Sequence, residues 1–162
     1  MLANEIRKYV IVPTLQIANL WSPSAEILVY GTGMVETNYD HLMQFGAPKD
    51  GGYGFWQEEP SDYDDLKKWL RMQSEARPYL TNTLTACYYE SMPVDMMVFA
   101  SNLKFACLIC RLHYYRVNQP LPKSNDAAGF ANYHKEFYNS MLGKADVDKN
   151  TEVFQKIIDG KL

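Results

Sequence analysis

Cysteine is scarce. Cys87, Cys107 and Cys110 are the three in 162 residues, and an odd, small number excludes a disulfide framework. Cys107-Leu108-Ile109-Cys110 has the spacing of a redox or zinc pair. It lies in an apolar helical run with no second Cys or His pair, so these read as core thiols of a chain made in a reducing cytoplasm. No run approaches the roughly 20 apolar residues of a membrane span, and the first eight residues lack the order of a signal peptide. Strand-type alternation is almost absent. Positive charge is also short, with 16 Lys and Arg against 19 Asp and Glu, a net charge of −3. Lys67, Lys68 and Arg71 sit among Asp62, Asp64 and Asp65, which makes a solvated helix face and not a phosphate tract. No nucleic-acid partner is expected. His41, His113 and His134 have no metal-ligand spacing, and no Gly-x-Ser-x-Gly elbow exists for a serine hydrolase. Neither metal nor cofactor is expected.

What is present is a globular composition, 47% hydrophobic and 22% charged, long enough for one domain over 1–162. Aromatics are 14%, with twelve tyrosines. These suit an amphipathic groove or a protein interface, or simply half-buried positions.

The periodicity predicts a mainly α domain. A first helix over 2–11 is stopped by Pro13. Ser22 fits the N-cap of the next helix, Pro23 its first position and Glu26 its first turn. Ala25, Leu28, Val29, Thr32, Val35 and Glu36 then share one face. Gly31 and Gly33, poor helix formers, imply close approach of another backbone. Residues 38–60 carry four glycines and two prolines and read as a functional loop, with room for a short hairpin within 41–57. Helices follow over about 61–76, ended by Pro78, and over 81–91. A long apolar helix from Val94 to about Arg116 is the expected core. Asp126 caps a helix to about Tyr138, and a last helix runs over 148–158.

Within this frame one carboxylate stands out. Glu36 closes its helix on the apolar side. Eighteen residues later comes Gly54-Phe55-Trp56-Gln57-Glu58-Glu59-Pro60, a Gly-rich turn with an aromatic pair, a glutamine and a proline stop. A carboxyl group held at a helix end against apolar surface keeps its proton more readily and serves as a general acid. Glycosidic bond cleavage needs such a group. Glu36 is equally a residue type that caps helices or faces solvent, and Glu58-Glu59-Pro60 also suits a plain helix entry.

The Gly54–Pro60 segment resembles the Gly-Leu-Met-Gln-x-x-Pro signature of lytic transglycosylases and goose-type lysozymes. In those families a catalytic glutamate ends a helix some fifteen to twenty residues upstream, commonly as Glu-Ser; here the match is Glu36-Thr37. A later Tyr-Asn pair lines their cleft, and Tyr138-Asn139 is similar to it. The fuller run also resembles a family of small phage proteins with a lysozyme-like pattern. Trp21-Ser22-Pro23-x-Ala25-Glu26, Gly31-Thr32, Glu36, Gln57-x-Glu59-Pro60, the Tyr138-Asn139 stretch and Gly143-Lys144 carry that likeness over most of the chain.

The resemblance implies a lysozyme-like fold that cleaves the glycan strand of peptidoglycan, with Glu36 as the acid. Gln57 and the Gly54 backbone would orient the sugar N-acetyl group or the glutamate itself. Tyr138 and Asn139 would fix the acid's rotamer. Tyr53, Phe55 and Trp56 would stack on sugar faces. Glycosidases normally need a second carboxylate; Asp50, Glu58, Glu59 and Glu90 are candidates, whereas transglycosylases use the substrate's own N-acetyl group. The expected setting is a phage particle acting at the host cell wall, with other virion proteins as partners. Thr37, Trp56 and Glu58 depart from the family pattern. These departures keep open a second reading, a non-enzymatic virion, tail or adaptor protein on the same fold.

Overall fold

The computed structural model describes residues 2–43, 51–73, 95–139 and 146–162. The chain is mainly α-helical, and among the described residues no helix is long and apolar enough to cross a membrane. The expected helix over 81–91, the stop at Pro78, and Gly143-Lys144 lie outside the described residues.

The chain opens with α1 (Leu2–Ile6), a π-helical turn (Arg7–Ile11) and α2 (Val12–Ile17), wound without a break. Pro13 therefore does not stop the first helix. Proline lacks the N–H of an internal helix position, and its ring crowds the carbonyl four residues back. The widened turn, in which the Val12 N–H donates to the Arg7 carbonyl, accommodates it.

Helix α3 (Pro23–Glu36) starts where the capping residues place it, with Ser22 Oγ accepting from the Ala25 N–H at 3.1 Å. Its core stretch Ile27–Gly33 is continuously buried. The two glycines admit aromatic side chains, not a neighbouring backbone. A Cβ on Gly31 would enter the Phe154 ring, and one on Gly33 would meet the Tyr39 ring.

Helix α4 (Pro60–Gln73) buries Tyr63, Leu66 and Leu70. The expected long core helix is two pieces, α5 (Val98–Ser101) and α6 (Leu103–Tyr115). Asn102 adopts an extended backbone between them, and its Oδ1 accepts from the Phe105 N–H at 2.9 Å. The break is thus an internal N-cap. Ten consecutive residues of α6, Phe105 through Tyr114, are buried, as befits a helix enclosed on all sides. Helix α7 (Ala127–Phe137) is capped by Asp126, whose Oδ1 accepts from the Gly129 N–H at 2.8 Å. It pairs with α8 (Val147–Ile158), and α8 lies in turn against α3. Phe130 and Phe154 stack in that seam with centroids 5.4 Å apart.

The possible hairpin is reduced, among the described residues, to isolated bridges, Met43 with Tyr53 and Tyr53 with Glu58. Tyr53 and Glu58 exchange both backbone hydrogen bonds at 2.9 Å and so close a four-residue loop over 54–57.

Gly31→Ala tests the α3–α8 seam. The added methyl must displace the Phe154 ring, so unfolding by urea should show a loss of roughly 1–3 kcal/mol, the usual cost of overpacking a filled core. A change below a few tenths would mean that the seam is slack.

Candidate functional site

Three segments meet at the C-terminal end of α3. The first is α3 itself, which carries Glu36 at its last position. Thr37 turns back as the C-cap: its Oγ1 donates to the Phe55 carbonyl at 2.8 Å and reaches the Gly33 carbonyl at 3.2 Å. Asn38 and Tyr39 follow in the left-handed region, with φ of 52° and 56°. That conformation costs a non-glycine residue of order 1 kcal/mol or more. Tyr39 is held in it by its core contacts: its hydroxyl donates to the Tyr30 carbonyl at 3.1 Å and its ring stacks on Tyr30.

The second segment is the loop over 54–57. Gly54 has φ +74°, and any Cβ there would collide with the Phe99 carbonyl. The glycine is required twice, for conformation and for space. Gln57 is also left-handed, at φ 50°, and its Nε2 donates to the Gly54 carbonyl at 2.8 Å. Among the described residues four non-glycines have positive φ, and three of them flank this site.

The third segment is the pair of helices α6 and α7. His134, fully buried on α7, stands 3.0 Å from Glu36 Oε1 through Nε2. Its Nδ1 is buried and has no hydrogen-bond partner among the described residues. His113, on α6, stands 2.7 Å from Glu58 Oε1, and both side chains are buried. Tyr138 lies between the two histidines, stacked on His134 and edge-on to His113. Its hydroxyl donates to the Trp56 carbonyl at 2.7 Å. On its other flank it stacks on Tyr114, whose hydroxyl shares a 2.7 Å bond with Thr32 of α3.

The structure brings Glu36, the loop over 54–57 and Tyr138 into one neighbourhood. It places several of the expected site residues in different roles, however. Trp56 is 1% exposed and Phe55 7%. Trp56 Nε1 donates to the Val29 carbonyl at 2.9 Å, and both rings pack edge-on to Tyr39. They fill the core beside α3 and offer no stacking face to a sugar. Gly54 serves the loop's own geometry, and the Gln57 amide N–H closes the loop. Tyr53 is half-buried, pairing by its backbone with Glu58. Asn139 is half-buried, with its backbone N–H on the His134 carbonyl. Tyr138 contacts the imidazole that holds the acid and braces the loop.

The pairings of the histidines are what the sequence did not give, since it showed only that His41, His113 and His134 have no metal-ligand spacing. One local signal pointed to His134: it stands four residues before Tyr138, which puts the two on one helix face.

Electrostatics divide the carboxylates. The Glu36 side chain is one-fifth exposed. Glu58 is committed to His113. Partial burial, and then the charges of Asp62, Glu36 and Glu58, hold the Glu59 carboxyl above its usual range. Of the candidates for a second acid, Asp50 and Glu90 lie outside the described residues and Glu58 is buried in its pair. Glu59 is left as the exposed carboxyl in the field of Glu36. Among the described residues no three His, Cys, Asp or Glu side chains group as a metal site. No known protein family, characterised protein or solved structure matches the chain.

Two outcomes follow from this packing. Removing one member of the buried Glu58–His113 pair strands the other, so Glu58→Leu and His113→Leu should each cost roughly 3–5 kcal/mol. The double substitution should cost clearly less than their sum in urea unfolding; additivity would show that the pair is not coupled. The second outcome concerns alkaline pH. Burial pushes the Tyr39, Tyr114 and Tyr138 phenols well above 10.0. A raised folded-state value favours the protonated fold, so this stability is whole below about pH 10. It is lost as pH rises from there toward the raised values. Tyrosinate absorbance should therefore grow in step with loss of helical circular dichroism; full ionisation with the helices intact would contradict the assigned burial.

Proposed function

We propose that this chain is a lysozyme-like domain of a phage particle that cleaves the glycan strand of peptidoglycan, with Glu36 delivering the proton. The observation that carries the reading is the setting of Glu36. It ends a buried helix, keeps one-fifth of its side chain in solvent, and has one oxygen on a buried imidazole. The strained loop and Tyr138 stand beside it, in the order that the resemblance to lytic transglycosylases and goose-type lysozymes implies.

The chemistry follows from that setting. A protonated carboxyl has a carbonyl oxygen that accepts and a hydroxyl that donates. Glu36 can therefore hold His134 with Oε1 and present its proton from Oε2 to the glycosidic oxygen. The C–O bond then breaks, the proton goes to the departing hydroxyl, and the positive charge at the anomeric carbon is met by the sugar's own N-acetyl oxygen or by water. Restraint of the carboxyl by the buried ring keeps the donating oxygen in a fixed direction, which is how orientation lowers such a barrier. Glu59, the remaining exposed carboxyl, contributes negative field on the same side. Action at the host cell wall, and packing among other virion proteins, belong to this proposal.

The burial of Phe55 and Trp56 favours a second reading, a non-enzymatic virion or tail-adaptor protein. A glycan-binding enzyme uses exposed rings as platforms, and this loop turns both of its rings into the core. In that reading the strained loop and its buried pairs give only shape.

Zymography on purified peptidoglycan separates the two. Wild type should clear the substrate, and Glu36→Gln should abolish clearing while its unfolding free energy stays within about 1 kcal/mol of wild type, as a near-isosteric surface-edge change allows. Clearing by the Gln form would remove Glu36 from the mechanism. No clearing by wild type, with the Glu36 edge covered by a neighbouring subunit in a map of the particle, would leave the adaptor reading.

A further inference from the structure

We infer that His134 is held as the tautomer with its proton on Nε2, so that it is a fixed donor to Glu36 Oε1 and leaves Glu36 Oε2 as the one oxygen that exchanges a proton. The distance alone, 3.0 Å between Nε2 and Oε1, fits either direction of donation. The other ring nitrogen decides it. Nδ1 is buried and has no partner among the described residues, and the residue as a whole is 0% exposed. A proton on Nδ1 would be a buried N–H with no acceptor, one of the rarest states in folded proteins. A lone pair left there is the lesser loss.

The groups facing the ring agree with this. Tyr138 is stacked on it with centroids 5.7 Å apart; its hydroxyl lies on the Trp56 carbonyl and makes no bond to Nδ1. Glu36 is the acidic group within bonding distance. The single ring proton therefore belongs on Nε2, pointing at Glu36.

The consequence for Glu36 rests on the proposed reading, while the tautomer does not. With the proton on Nδ1, the bond to Nε2 would have to be made by the Glu36 hydroxyl, and the acid's proton would be committed to imidazole. With the proton on Nε2, Oε1 accepts whether Glu36 is protonated or ionised. The carboxyl keeps one rotamer through the transfer, and Oε2 is left to donate. His134 is then a positioning residue.

The tautomer is read directly in the full-length 15N-labelled protein by long-range 1H–15N correlation of the imidazoles, with His134 assigned by its disappearance in His134→Gln. The expected pattern is a pyrrole-type Nε2 and a pyridine-type Nδ1, and Glu36→Ala should speed exchange of the Nε2 proton. A pyrrole-type Nδ1, alone or with Nε2, overturns the inference, as does an Nε2 proton indifferent to Glu36→Ala. The positioning role is read from kinetics of glycan cleavage. The amide nitrogen of His134→Gln reaches the place of Nε2, so it should keep kcat within about tenfold of wild type. His134→Phe fills the space without a donor and should lose about a hundredfold in kcat with little change in KM, the scale of a misdirected catalytic group. Wild-type kcat in a folded His134→Phe overturns the positioning role. If His134→Phe does not fold, His134→Gln decides: a loss of a hundredfold there overturns it. If the wild type cleaves nothing, the proposed function fails by itself, and the resonance pattern still decides the tautomer.

Discussion

The hydrogen bond from the Tyr138 hydroxyl to the Trp56 carbonyl is the contact about which the site is arranged. It joins the residue just past the end of α7 to the middle of a tight loop. The same ring carries the His134 imidazole on one face and lies against His113 and Tyr114. Each aromatic contact is worth only about 0.5–1.5 kcal/mol, and the hydrogen bond about 1 kcal/mol. Their joint effect is geometric. With the ring in place, the two histidines have one arrangement each, and each has its glutamate. The Thr32–Tyr114 bond fixes the same assembly to α3, so the helix that carries Glu36 and the helices that receive it are set together.

Strain is concentrated around the C-terminal end of α3. Asn38 and Tyr39 leave α3 in left-handed conformation, and Gln57 takes it up across from them. Contacts hold these positions and the loop beside them: Asn38 by its amide on Asp40, Tyr39 by its ring and hydroxyl, Gln57 by its bond to Gly54, and Gly54 by the Phe99 backbone. Such conformations persist only where surrounding contacts outweigh them, and they collect at sites more than in scaffolds. The two glutamates here differ in kind. Glu58 is sealed into the interior with its histidine, whereas Glu36 is sealed on one side only.

What the sequence made legible was local. Ser22, Pro23 and Asp126 announced their helix starts because a cap acts within three residues. The apolar run after Pro93 marked the core, although its division at Asn102 did not show, because an asparagine inside an apolar run looks the same whether it caps or merely interrupts. Pro13 misled for a similar reason: a π-helical turn has no signature in residue type. Glu36, the Gly54 loop and Tyr138 could be found from motif order. The partners of both glutamates could not, since the pairings span 55 and 98 residues, and the one local sign, His134 four residues before Tyr138, points to Tyr138 and not to Glu36. Phe55 and Trp56 were assigned outward because aromatics in a Gly-rich turn carry no sign of direction. Their burial depends on the tertiary setting, through the Val29 carbonyl that receives the Trp56 N–H and the Thr37 hydroxyl that ties down the Phe55 carbonyl.

The pairing of Glu36 with His134 closes a span of 98 residues. A ribosome that adds roughly 5–20 residues per second exposes the glutamate roughly 5–20 seconds before its histidine. Through that interval α3 has its cap and its apolar stripe, but neither α7 nor the Tyr138 ring exists to receive it, and loop closure over such a distance comes late in folding. The nascent chain thus carries Glu36 in water, without its imidazole partner. The site comes into being as the last helices are made, so a ribosome that stalls before residue 134 leaves a fragment in which it has never formed.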